Sequence, residues 1–210
     1  MKKDHIVSLL VFLLTALLVF IVTRDFFLSF AASTPLLAGF IKFFVLATIG
    51  DFIGKRLKTC KWSIPNYLLV KATIWGFIGV VIVLMFGIFP VGVEYLQSEN
   101  ILPYEGSTLA MALFTSILMN FTFAPTMMAF HRITDTYLNL LVDNKQVTLK
   151  DAVEDVKWNQ FISFIVFKTI PLFWIPAHTI TFLLPSEYRV IFAAVLGIFL
   201  GLILGIFKNK

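Results

Sequence analysis

Residues 67–89 read YLLVKATIWGFIGVVIVLMFGIF, a run in which Lys71 carries the only charge. A helix needs ~20 apolar residues to cross the ~30 Å hydrocarbon core of a bilayer. In lipid no water can satisfy the backbone, so a run of this kind must form a helix. Five further stretches share its character: residues 6–23, 35–53, 108–130, 158–184 and 188–207. The expected fold class is therefore all-α, a polytopic transmembrane helix bundle of about six spans. Four spans with interfacial or re-entrant helices is the alternative.

The composition agrees with this reading. Of the 210 residues, 59% are apolar and only 14% charged, and the mean hydropathy is +0.92. A soluble domain carries roughly a quarter charged residues. The net charge of +5 is not a nucleic-acid signal, because the basic residues gather at the ends of the apolar runs. With the N-terminus inside, the inner segments carry Lys2, Lys3, Lys55, Arg56, Lys58, Lys61, Arg132, Lys145, Lys150, Lys157, Lys208 and Lys210. The outer segments carry Arg24 and Arg189. Such a bias marks the cytoplasmic side, so both termini are expected there.

Residues 6–23 could also be a signal peptide ending near Ala31-Ala32-Ser33. The run is long for a signal core and Arg24-Asp25 intervenes, which favours a retained span. The domain organisation expected is an additional N-terminal helix with a short loop over 1–33 and a membrane domain over 34–210. A bacterial cytoplasmic membrane fits best, with an organelle membrane as the alternative.

Cys60 is the sole cysteine, and His5, His131 and His178 lie far apart in sequence. No disulfide or cysteine metal cluster is available, and no metal or cofactor is expected. The chain has no phosphate-binding loop, nucleophile elbow, zinc-protease helix or dinucleotide fingerprint. An enzyme is the least favoured class.

Polar residues inside apolar spans are the candidate functional positions. Lys168 lies ten residues into the fifth span, ~15 Å deep by helical rise. A lysine at the centre of a span costs ~2.5–3.5 kcal/mol and normally faces a cavity or a partner. Pro171 and Pro176 lack N–H groups, and the carbonyls they free could line that cavity. Asn120 falls near mid-depth, and Lys42, His178 and Thr181 lie somewhat nearer the outer side. These five are the candidates for one polar core. Near the inner ends, Lys71 reads as snorkelling to the interface, and Asp51 as pairing with Lys55 one turn on. Thr148 and Asp151 form the pattern of a capping box before a short surface helix. Ala193, Gly197, Gly201 and Gly205 recur every four residues and let another backbone approach closely. The partner is another helix of the chain by default; a second copy, making a homo-oligomer, is the alternative.

Three motifs carry a family resemblance. Pro35 precedes Gly50-Asp51 by fifteen residues. Phe123-Ala124-Pro125 follows Asn120, where a Gln is usual. Trp174, Pro176, His178, Thr181, Phe182, Pro185, Tyr188 and Arg189 resemble a Trp-Pro, Gln, Asn-Phe, Pro, Tyr-Arg signature, with His178 and Thr181 in place of the Gln and Asn. Gly76-Phe-Ile-Gly79 is a weaker fourth match. Over roughly residues 35–210 the chain resembles the 22-kDa peroxisomal membrane protein family, the Mpv–PMP type with mitochondrial members. The resemblance implies a membrane domain that acts as a weakly selective pore rather than an enzyme. The function expected is a channel for small metabolites or ions, with Lys168 favouring anions. A secondary transporter and a non-transporting scaffold are the alternatives. The partners expected are the lipid bilayer and an unidentified small solute, with no nucleic acid.

Overall fold

The computed structural model of the chain describes residues 28–59, 63–143 and 146–207. The span read at 6–23 lies outside them. Every regular element described is helical. We number them α1 (Pro35–Thr59), α2 (Leu68–Ser98), α3 (Thr108–Asp143), α4 (Leu149–Asp155), α5 (Trp158–Leu183) and α6 (Ser186–Phe207).

Among the described residues, three helices are long and apolar enough to cross a membrane: α2, α3 over Thr108–Val142, and α5. The apolar part of α1 is the shorter stretch Pro35–Gly50. Of the six expected spans, the described residues thus support three by length and composition. Past Gly50 the side chains of Asp51 and Gly54 lie outside the description, so the apolar run of α1 is described only as far as Gly50. Helix and apolar run also differ in extent. The 31 residues of α2 rise about 46 Å and the 36 of α3 about 54 Å, each well beyond a ~30 Å core. Pro90 and Pro125 sit inside these helices without ending them.

The long helices close a ring. α1 lies against α2 and α6, α3 lies against α2 and α5, and α5 lies against α6. Every long helix contributes to one apolar core: Phe43 from α1, Ile78, Ile82 and Phe86 from α2, Ala112 and Met119 from α3, Phe182 from α5, and Ala193 and Ala194 from α6.

The closest approach is between α1 and α2, at Gly39 and Gly79. A Cβ on Gly79 would lie 2.5 Å from the Gly39 carbonyl oxygen and 2.7 Å from Phe43 Cβ. No methyl group fits on Gly79, so this position must be glycine for the backbones to meet. Among the described residues, this is the close small-residue contact between two helices. Of the stripe read in the last helix, Ala193 is buried in the core, while the surroundings of Gly197, Gly201 and Gly205 lie outside the described residues.

The turn between α2 and α3 is held by one side chain. Gln97, 4% exposed, donates through Nε2 to the carbonyl oxygens of Pro103 and Tyr104, both at 3.1 Å. The capping box before α4 is present. The Asp151 carboxylate accepts from the Thr148 hydroxyl at 2.7 Å and backbone N–H at 2.8 Å, and Asp151 N–H donates back to Thr148 Oγ1 at 3.3 Å. These bonds to Thr148, the side chain first, hold the Asp151 carboxyl below its ordinary value.

Candidate functional site

Helix α5 is the irregular member of the bundle. From Phe161 to Trp174 its turns are widened to π-helical geometry. The Ile175 N–H reaches back five residues to Ile170 O, and Thr169 Oγ1 donates to Phe164 O at 3.1 Å. π-Helical turns are uncommon and concentrate at functional sites. Pro171 and Pro176 lie in and just beyond this stretch and have no N–H to bond. The helix nevertheless runs on through both prolines without interruption.

Where α5 returns to regular geometry it meets α3 in a buried polar cluster. Ser116 Oγ donates to Ile175 O at 2.8 Å. The Thr179 hydroxyl donates to the same carbonyl, also at 2.8 Å. Asn120 Nδ2 donates to Ser116 O at 2.8 Å. His178 Nδ1 stands 2.9 Å from Asn120 Nδ2 and 3.1 Å from Asn120 Oδ1. Asn120 thus offers this ring nitrogen both a donor and an acceptor, and the pair can bond with Nδ1 bare or protonated. Asn120, Ser116 and Thr115 are fully buried. A buried amide of this kind is costly unless bonded, which fixes how α3 and α5 dock.

Aromatic rings enclose the imidazole. Trp174 stacks on His178 at 5.2 Å between centroids, and Phe86 meets it edge-on at 6.1 Å. Phe86 also contacts Phe182 at 5.0 Å. Thr181 is fully buried and turns its hydroxyl back to Ala177 O at 2.9 Å.

Among the five candidates, the structure brings Asn120 and His178 into contact and places Thr181 one turn along the same helix. Lys42 is 6% exposed on α1, which among the described residues lies against α2 and α6 but not α3 or α5. Lys168 is not at the cluster. It is exposed on the outer side of α5, between Phe167 and Leu172, which are 71% and 79% exposed.

A second polar cluster was not legible in the sequence. Lys71 Nζ pairs with Asp135 Oδ1 at 2.6 Å and donates to Asn139 Oδ1 at 3.2 Å. Asn139 Nδ2 in turn donates to Asp135 Oδ2 at 3.2 Å. Lys71 is therefore ion-paired rather than snorkelling. His131 lies one turn before Asp135 and rests on Trp75, with ring centroids 4.2 Å apart. A small cleft is lined by Lys71, Ile74, His131, Thr134, Asp135 and Leu138. Lys55, expected to pair with Asp51, donates to Ile64 O at 2.9 Å; the Asp51 side chain lies outside the description.

No family model, curated protein or solved structure matches the chain. The motif residues themselves fall in three places. Pro35 opens α1 and Gly50 lies within it, while Phe123, Ala124 and Pro125 continue the helix just after Asn120. The C-terminal signature forms a compact corner. Arg189 Nε donates to Leu184 O at 2.9 Å, and its guanidinium lies 5.7 Å from the Phe182 ring centroid. Pro176 and Pro185 are exposed, and Pro185 and Tyr188 lie at the bend between α5 and α6. Among the described residues no group of His, Cys, Asp and Glu is placed to hold a metal ion.

Proposed function

We propose that the chain is an integral membrane protein that passes small metabolites or ions, with the Asn120–His178 pair at the centre of its path. The observation that carries this reading is a hydrogen-bonded polar pair, fully buried Asn120 and half-buried His178, lying between two helices of membrane-crossing length. Polar groups at such depth are expensive and mark solute or proton pathways. The aromatic enclosure by Trp174, Phe86 and Phe182 keeps the path shut in this conformation, so passage requires the helices to move. In the full reading, residues 6–23, α1 and α6 complete six spans, with both termini on the cytoplasmic side of a bacterial membrane. The likeness to the Mpv–PMP type supports a pore-like role over an enzymatic one. Lys168 stands off this path, so an anion preference does not rest on it.

A secondary transporter is the second reading, favoured by α5. A helix loosened around mid-span beside a polar site is the construction such carriers use. His178, able to bond with or without a proton on Nδ1, would suit proton coupling.

Flux from liposomes separates the readings. The full chain, reconstituted in vesicles loaded with potassium chloride or a small neutral sugar, is expected to release at least one of them faster than empty vesicles. Linear dependence on concentration identifies a pore; saturation with counterflow identifies a carrier. Release no faster than from empty vesicles for every solute contradicts both and leaves the scaffold.

A further inference from the structure

The hydrogen bonds that join α2 to α3 lie together at one end of the bundle. Lys71 holds Asp135 and Asn139 there, and the Tyr67 hydroxyl donates to Leu141 O at 3.4 Å. At the opposite end the connecting turn is fixed by Gln97. Between the two, α2 contributes Ile78, Ile82 and Phe86 to the apolar core. The ion pair is only partly buried, with its side chains 16% and 33% exposed. A pair of that kind can open without leaving a charge stranded in a dry interior.

One face of α3 connects the two polar clusters. Asn120, Ala124, Met127, His131 and Asp135 follow one another at helical spacing. Ala124 is 4% exposed, and Met127 is packed against the apolar core. From Asn120 to Asp135 the strip covers sixteen residues, a rise of about 22 Å.

The geometry points to a latch: the Lys71–Asp135–Asn139 contact holds this end of the α2–α3 hairpin closed, and its release lets the helices part and opens the Ala124–His131 strip to water as far as Asn120 and His178. The inference rests on the transport reading for its purpose, but the motion is measurable without any transport. Gln97 keeps the far turn intact, so the hairpin pivots there.

A cysteine reporter tests the latch. Cys60→Ser removes the only native thiol, and Ala124→Cys places a new one on the strip. In the full chain in detergent, iodoacetamide, which is small and uncharged, is expected to react slowly with this thiol. Lys71→Met or Asp135→Asn is expected to raise the rate roughly ten-fold, the size of coupling that contacting residues show. Asn139→Ala, at an exposed position, is expected to give a smaller rise and serves if the charge variants do not fold. Lys71→Asp combined with Asp135→Lys is expected to return the rate toward the parent value. Unchanged rates in the single variants, or a folded charge-swapped variant as reactive as they are, overturn the latch. Altered labelling without vesicle flux sinks the transport reading alone; flux with unaltered labelling sinks the latch alone.

Discussion

Gly79→Ala is expected to cost about 2–3 kcal/mol of unfolding free energy, the price of overfilling a tight contact. Gly87→Ala, on the same helix, is expected to gain up to about 1 kcal/mol, because alanine is the better helix former. The two differ only in what a new methyl group meets. At Gly79 it meets the Gly39 carbonyl oxygen at 2.5 Å, and backbone cannot step aside. At Gly87 and Gly92 it meets nothing within 4 Å. Gly76 is intermediate, since its new neighbour is the Phe40 ring at 2.6 Å, which can rotate away. Unfolding of the four variants in mixed micelles gives the ranking. If Gly79→Ala were as mild as Gly87→Ala, the close docking of α1 on α2 would be wrong.

Asn120→Leu is expected to lower vesicle flux about ten-fold or more and to destabilise the chain by about 1–2 kcal/mol, since Ser116 O and His178 Nδ1 lose a partner in a buried setting. His178→Leu alone is expected to act similarly. The double variant separates structure from transport. Replacing both partners with apolar groups removes the unpaired atoms, so stability should recover toward the parent value. Flux should stay low, because the path then lacks its polar centre. Within helical membrane proteins such pair couplings reach at most about 1.7 kcal/mol, so a larger recovery is not expected. Full flux in the double variant would remove the pair from the path.

Much of the helical framework was legible because burial in lipid imposes a simple pattern on the chain. Runs such as 67–89 declare a helix by length and hydropathy alone. Their ends were less legible. Hydropathy reports where a helix is apolar, whereas α2 and α3 continue as helices through polar residues to Ser98 and Asp143. Thr148 and Asp151 were readable because a capping box is purely local. Asn120 and His178 were singled out, one at mid-depth and the other on the outer side of it, but their contact joins residues 58 apart, which no local period encodes. Ser116 drew no notice, being one hydroxyl in an apolar run. The Lys71–Asp135 pair escaped for the same reason, with 64 residues between its members. Lys71 itself held the usable signal: a lysine in an apolar run normally faces a polar partner or a cavity. Lys168 was placed in the polar core from depth alone. Depth does not fix which side of a helix a residue takes, and the widened turns of Phe161–Trp174 depart from the 3.6-residue spacing by which faces are counted.

The proposed path requires Asn120 and His178 to lie deep in a bilayer. Phe121, the neighbour of Asn120, is 51% exposed on the outside of the bundle. A spin label on Phe121→Cys, in the Cys60→Ser chain reconstituted into bilayers, reports its depth through relaxation by oxygen and by a water-soluble nickel complex. Strong relaxation by oxygen and almost none by nickel is the predicted result and places the pair near the centre of the membrane. Ready relaxation by the nickel complex would contradict it.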